Sequence, residues 1–287
     1  MNAKYKSLFI FPAAVATVVL LAYSLFQAAI SDLDQTAWLG AAIASLPFPI
    51  LLARLMLKPV SRTSDNLPVL VSMAAIGVML SVWEQFIEGS SGWAPTSVAL
   101  VTADLFAIYV FWYSRFGRVP NANFSVGSKL PVFALTDSAG KEFTSGELIG
   151  SPAVLMFYRG NWCPLCMAQI EELAGRYQEL DAMGIKVALV SPQSDEQSRR
   201  LAAMHDVPFR FLVDKDNEVA KSLDIAVANG VPSGMPGGYA PDTVLPTLVV
   251  TNAAGTIIFS DQTDNYRVRP EPDVFLAILR RSGVVAQ

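Results

Sequence analysis

The chain has 287 residues, 52% of them hydrophobic and only 16% charged, with a net charge of −4 at neutral pH. This is too apolar for an ordinary soluble protein of its length, and with no basic–aromatic stripe it argues against nucleic-acid binding. Two cysteines and one histidine, His205, are too few for a four-ligand zinc site, and no phosphate-cradling glycine loop implies a nucleotide cofactor.

The apolar excess lies in residues 1–115. Four segments, Leu8 to Ile30, Trp38 to Leu57, Pro68 to Ile87 and Pro95 to Tyr113, are long enough to cross a bilayer core of about 30 Å at about 1.5 Å per residue. The first lacks an evident small-residue cleavage site and is followed by three similar spans, so it reads as a retained membrane helix. Lys4 and Lys6 precede the first span, Arg54, Lys58 and Arg62 separate the second from the third, and Arg115, Arg118 and Lys129 follow the fourth. The other two connections carry Asp32, Asp34 and Glu88 and no Lys or Arg. The positive-inside rule then predicts an integral protein of the cell (inner) membrane with both termini cytoplasmic. Trp38, Trp83, Trp93 and Trp112 fall near span ends, as interfacial anchors do. Pro47 and Pro49 should kink the second span. Asp104, mid-way along the fourth, is expected to handle ions or protons or, more simply, to pair helices through Ser72, Ser81 or Thr102. No span holds a Cys or His, so the helices offer neither thiol exchange nor a haem ligand. Anchoring in the lipid bilayer or binding a partner is their simplest role.

Residues 116–129 are rich in Gly, Pro, Asn and Ser and read as a linker, leaving 130–287 as one domain with its own core. Strands are expected at Val132–Leu135, Ala153–Tyr158, Lys186–Ser191, Phe209–Val213, Leu248–Thr251 and Ile257–Ser260. Helices are expected at Cys163–Met183, Glu196–His205, Glu218–Leu223 and Pro272–Arg281. The last two strands are joined as a hairpin by Asn252-Ala253-Ala254-Gly255. The alternation predicts an α/β sheet with helices on both faces, so the whole chain is an α-helical membrane region followed by an α/β domain.

Both cysteines sit where the first long strand turns into a helix, in Phe157-Tyr158-Arg159-Gly160-Asn161-Trp162-Cys163-Pro164-Leu165-Cys166. Two thiols in that setting suit two-electron thiol–disulfide chemistry. A structural disulfide over so short a loop would restrain the unfolded chain little; two unrelated buried thiols are the remaining alternative. If the helix starts at Cys163, its amide dipoles favour the Cys163 thiolate, and Pro164 suits the first helical position. Cys166, close to one turn on, would be the more buried partner that resolves an adduct on Cys163. Trp162 and Pro164 would cover the pair.

The segment from Val126 to Val284 resembles the alkyl hydroperoxide reductase and thiol-specific antioxidant branch of the thioredoxin-fold superfamily, closest to peroxiredoxin-like proteins with a thioredoxin-style C-x-x-C. The likeness rests on Gly127-Ser128-Lys129-Leu130-Pro131-Val132-Phe133, Asp137–Lys141, the Phe157–Cys166 run, Asp214–Ala220, Val244-Leu245-Pro246-Thr247 and Asp264–Pro272. It implies that Pro246 is a cis-proline facing the dithiol, and a cis X–Pro bond ahead of a strand is a purposeful turn. Arg159, Arg267 and Arg269 are candidate cations near the thiolate, although arginines of this kind are usually solvated. Peroxiredoxins typically place a Pro seven residues, and a Thr or Ser three residues, before the reacting Cys; counted from Cys163 these positions are Met156 and Gly160, which puts efficient peroxidase activity in question. His205 reads as a surface residue near a helix end.

The expected function is a membrane-anchored thiol oxidoreductase acting on a peroxide or a protein disulfide, without cofactor or metal, and restored by a dithiol reductant such as a thioredoxin-like protein. The alternatives are a disulfide reductase without peroxidase activity, a membrane-bound redox sensor or scaffold, and a transporter with an appended redox domain.

Overall fold

A computed structural model describes residues 3–31, 34–58, 60–88 and 92–281. Asp32, residues 89–91 and the tail from 282, on which parts of the charge and boundary readings fall, lie outside the described residues. The chain divides into two compact units. One comprises Leu8–Pro59 and Thr63–Arg115, the other Met1–Ser7, Val60–Arg62 and Phe116–Gln287.

The first unit is helical: α1 (Ala3–Ile30), α2 (Gln35–Ser45), α3 (Pro47–Leu57), α4 (Pro68–Trp83) and α5 (Ala94–Ile108). Helices α4 and α5 each run on into a wider π-helical turn, Glu84–Glu88 and Tyr109–Tyr113. Four helical stretches, Ala3–Ile30, Gln35–Leu57, Pro68–Ile87 and Ala94–Tyr113, are long and apolar enough to cross a membrane. The second is broken at Leu46, because Pro47 has no N–H for the helical ladder. Close packing comes from small residues. A Cβ on Gly40 would lie 2.6 Å from Ser81 Oγ and 2.8 Å from the Gly77 carbonyl oxygen, so α2 and α4 touch backbone to backbone. Buried hydroxyls donate within the bundle, Ser81 to the Ala37 carbonyl at 2.7 Å and Ser45 to Thr102 Oγ1 at 3.1 Å. Asp104 does not share in this pairing. It is exposed on α5, and the Ser81 and Thr102 hydroxyls expected to meet it are engaged elsewhere, Thr102 donating to the Val98 carbonyl at 2.9 Å. Large apolar side chains such as Val19, Phe26, Val69, Ile76 and Met79 also face outward.

The C-terminal domain is built on a seven-stranded sheet in the order β2-β1-β5-β4-β3-β8-β9. Its elements are β1 (Ala134–Asp137), β2 (Glu142–Thr144), β3 (Ala153–Phe157), α6 (Pro164–Gly175), α7 (Tyr177–Ala182), β4 (Lys186–Ser191), α8 (Asp195–His205), β5 (Arg210–Val213), α9 (Glu218–Ser222), β6 (Ala226–Val227), β7 (Thr243–Val244), β8 (Thr247–Thr251), β9 (Ile257–Asp261) and α10 (Pro272–Arg281). Strands β3, β4 and β5 are parallel, and β8 lies antiparallel on the other side of β3. All five residues of β3 are buried, which explains its unbroken apolar run: a central strand covered on both faces has no solvent side to mark. Phe124, Phe133, Phe143, Phe157 and Val190 belong to the core beneath.

The single helix expected over Cys163–Met183 is two, because Arg176 leaves helical geometry just after Gly175 (φ −104°, ψ 10°). The strand expected at Val132–Leu135 starts later, since the Phe133 N–H is taken by Ser145 Oγ at 3.1 Å. Residues 116–129 do not hang free as a linker would. Phe116 N–H donates to the Asp264 carbonyl at 2.9 Å, and Arg118 donates to the Pro246 carbonyl and to Thr247 Oγ1, both at 2.8 Å.

Candidate active site

Strand β3 delivers the chain to Tyr158, whose N–H still bonds the Val190 carbonyl at 2.9 Å. A sharp turn follows. Gly160 has φ +134°, and a Cβ there would lie 2.8 Å from Trp162 Nε1, so the turn requires glycine. Cys163 is the residue that caps α6: its carbonyl accepts from Met167 N–H at 3.0 Å, and Pro164 occupies the first turn. Cys166 lies in that same turn. Both cysteines are free thiols, and both are buried, 1% and 0% exposed; the expected contrast between an open and a covered sulfur is absent.

The three candidate arginines are not solvated. Arg159, Arg267 and Arg269 are all buried. Arg269 is held on every side of its guanidinium. Nε donates to the Tyr266 carbonyl at 3.0 Å, Nη1 to Gln169 Oε1 at 3.0 Å, and Nη2 faces Cys166 Sγ at 3.6 Å. Arg159 donates to the Gly230 carbonyl at 2.7 Å and lies 4.5 Å from the centroid of the Trp162 ring, a cation–π contact. The Trp162 N–H and the Thr243 hydroxyl both donate to the Arg159 carbonyl, at 3.1 and 2.8 Å. Trp162 therefore braces Arg159 in addition to covering the turn. Arg267 is fixed by its backbone, whose N–H meets Asn265 Oδ1 at 3.1 Å.

These cations act unequally on the two sulfurs. Burial works to raise the Cys166 thiol, but the hydrogen bond from Cys163, the Arg269 guanidinium and the Arg159 backbone and charge hold it down at about 6. Cys163 goes the other way: the hydrogen bond it gives to Cys166, then burial, push it well above the ordinary thiol range. These contacts favour charge on Cys166, whereas the helix start alone pointed to Cys163. The hydrogen bond between the two sulfurs comes first in that difference, and the Arg269 guanidinium beside Cys166 comes next. Tyr158 borders the pair. Burial and then the Cys166 charge push its phenol up, so it stays protonated, and its oxygen accepts from Gln193 Nε2 at 2.9 Å.

Pro246 is not cis; every peptide bond among the described residues is trans. Between β7 and β8 the chain is anchored by Leu245 N–H on the Ile225 carbonyl at 2.7 Å and by Arg118 on the Pro246 carbonyl. Gln169, Gln193 and Tyr158 were not foreseen as site residues. Gln169 carries a readable signal, being three residues after Cys166 and so on its helix face.

A C-x-x-C opening the helix after a central parallel strand, beside a mixed sheet, is an arrangement suited to thiol redox chemistry. Residues 126–260 match the AhpC/TSA family, and this part of the chain is similar to that family. The chain is 28% identical over 116 residues to peroxiredoxin Q of the chloroplast of Suaeda salsa (40% of this chain, 51% of that one). It is 25% identical over 100 residues to peroxiredoxin Bcp of Bacillus subtilis (35% of this chain, 64% of that one). The match thus spans about half the length of the Suaeda peroxiredoxin Q. Among solved structures, peroxidoxin BcpB of Mycobacterium tuberculosis aligns with a TM-score of 0.46 at 19% identity, over 55% of this chain and 97% of that one.

Proposed function

We propose that the protein is a thiol peroxidase whose attacking group is the Cys166 thiolate and whose resolving group is Cys163. The observation that carries this is the Arg269 guanidinium 3.6 Å from Cys166 Sγ. Counted from Cys166 instead of Cys163, the family's Thr/Ser position is Cys163 and its Pro position is Arg159. The departure from the family pattern thereby becomes narrower: a thiol stands where a hydroxyl is usual, and it too can donate a hydrogen bond.

The Cys166 thiolate attacks one peroxide oxygen. An S–O bond forms as the O–O bond breaks, and the departing oxyanion takes a proton to leave as water or an alcohol. Cys163, giving up its proton, then attacks the sulfenic sulfur of Cys166. The S–S bond forms and water leaves, so the two thiols have supplied the two electrons that reduced the peroxide. A dithiol reductant of thioredoxin type returns them by exchange. The near-complete burial of both sulfurs favours a small peroxide over a protein disulfide, whose sulfur must approach in line with the attacking thiolate. The four apolar helices anchor the protein in a membrane, consistent with their length and outward apolar faces.

Stopped-flow oxidation of the reduced full chain by hydrogen peroxide tests the reading. Cys166→Ser is expected to abolish the reaction; Cys163→Ser is expected to keep the first turnover and to accumulate a sulfenic acid that dimedone traps. The reverse pattern would return the attacking role to Cys163. A wild-type rate no faster than free cysteine, with rapid reduction of a disulfide substrate, would replace the peroxidase by a disulfide reductase.

A further inference from the structure

The segment Val60–Arg62 joins α3 to α4 in the sequence, yet it packs as part of the compact unit that contains the dithiol. Its side chains do not simply rest on that surface. Ser61, 3% exposed, donates to Glu172 Oε1 at 2.6 Å. Arg62 Nη2 pairs with Glu172 Oε2 at 2.5 Å and lies 3.4 Å from the Pro270 carbonyl oxygen. Its Nε donates to the Arg269 carbonyl at 3.2 Å, and Nη1 stands 3.6 Å from Glu271 Oε1. One guanidinium thus joins two pieces of the site that are far apart in sequence, the helix α6 that carries Cys166 and the backbone of the residue whose side chain faces it.

We propose that Arg62 is a positioning residue for the redox centre: by bridging Glu172 on α6 to the Arg269 and Pro270 carbonyls, it fixes the distance between the Arg269 guanidinium and the Cys166 sulfur. The proposal rests on Cys166 being the thiolate, as argued above. Its physical basis is that a charge-assisted contact to a buried sulfur falls off steeply with separation, so the backbone from which Arg269 reaches must not drift. A forked, planar donor suits two carbonyls and a carboxylate at once; a lysine ammonium does not. Nothing in the chemistry passes through Arg62 itself.

The test measures the pH midpoint for alkylation of Cys166 in the reduced full chain in detergent, with Cys166 followed by peptide mass mapping. Arg62→Ala is expected to raise the midpoint by about one pH unit, and Arg62→Lys to fall between it and the wild type. Glu172→Gln gives the decisive sign. Removing a carboxylate from the thiolate's helix lowers the midpoint if only charge matters; it raises the midpoint if the carboxylate acts by holding Arg62 in place. A downward shift in Glu172→Gln, or an unchanged midpoint in folded Arg62→Ala, overturns the proposal. If Arg62→Ala does not fold, Glu172→Gln decides alone. Arg269→Met separates the two levels of the argument. Should it raise the midpoint while the Arg62 and Glu172 variants do not, only the positioning role falls; should it leave the midpoint unchanged, the thiolate assignment fails and takes the positioning role with it.

Discussion

Helices α1 to α5 bury hydroxyls and glycines, whereas the C-terminal domain buries two thiols and three arginines. In the helical unit several buried hydroxyls bond a carbonyl of their own helix or of the turn it runs into: Thr17 on the Ala13 carbonyl at 2.7 Å, Ser24 on Leu20 at 2.8 Å, Ser114 on Tyr109 at 2.8 Å. Such bonds neutralise polar atoms and leave no reactive group behind. In the domain the buried donors converge on one sulfur instead, and the same low dielectric that makes an unpaired charge costly makes a paired thiolate stable. The contrast separates a region shaped by close backbone approach from one shaped by electrostatics. Each should fail in its own way.

The largest expected effect lies in the helical unit. A Cβ on Gly77 would meet the Ala44 backbone nitrogen and come within 2.6 Å of the Gly40 carbonyl oxygen, and backbone atoms cannot step aside as a flexible side chain can. Gly77→Leu is therefore expected to prevent α2 and α4 from packing, seen as loss of protease resistance across residues 35–83 in detergent. The cooperative unfolding of the C-terminal domain should persist in the same sample; its loss would show that the two regions do not fail separately.

A smaller effect, of opposite origin, is expected from pH in the domain. The Cys166 thiol is at about 6 when folded, against an ordinary value of 9.0. Between those limits the unfolded chain binds more protons than the folded one, so stability of the reduced form rises with pH from about 6 to about 9. It is lost as pH falls through the lower limit. Cys163 shifts upward, so above the ordinary value the unfolded chain is the more deprotonated at that site and stability declines. The oxidised domain has neither thiol and should lack both slopes. Urea midpoints of reduced and oxidised protein across this range measure the difference, expected to be on the order of a few kcal/mol. Parallel curves for the two forms would show that the thiolate is not held by the fold.

Much of this was legible in the sequence. The unbroken apolar runs of β3 and β4, the Asn-Ala-Ala-Gly hairpin and the thiols at a strand-to-helix junction are local features, and local features leave periodic or compositional marks. Strands β2, β6 and β7 have three, two and two residues, too few to show alternation. The cation beside Cys166 could not be read from spacing, because it lies 103 residues away. Arg62 was legible only as a positive charge between two spans; its partner carbonyl is 207 residues away. Pro246 misled for a related reason, since an X–Pro bond carries no mark of its isomer, and here Leu245 and Pro246 are tied to Ile225 and Arg118 in the trans form.

The smallest effect returns to the helices. Ser45 Oγ reaches both the Ala41 carbonyl at 2.8 Å and Thr102 Oγ1 at 3.1 Å, the latter linking α2 to α5. Ser45→Ala removes that link but strands nothing, because the Thr102 hydroxyl still has the Val98 carbonyl of its own helix. An interhelical hydrogen bond in an apolar bundle contributes about 0.6 kcal/mol on average, so thermal unfolding of the helical unit in detergent should fall only slightly. A loss several times larger would mean that Ser45 and Thr102 form a cooperative polar centre like the one around Cys166, and the division between packing in one region and electrostatics in the other would no longer hold.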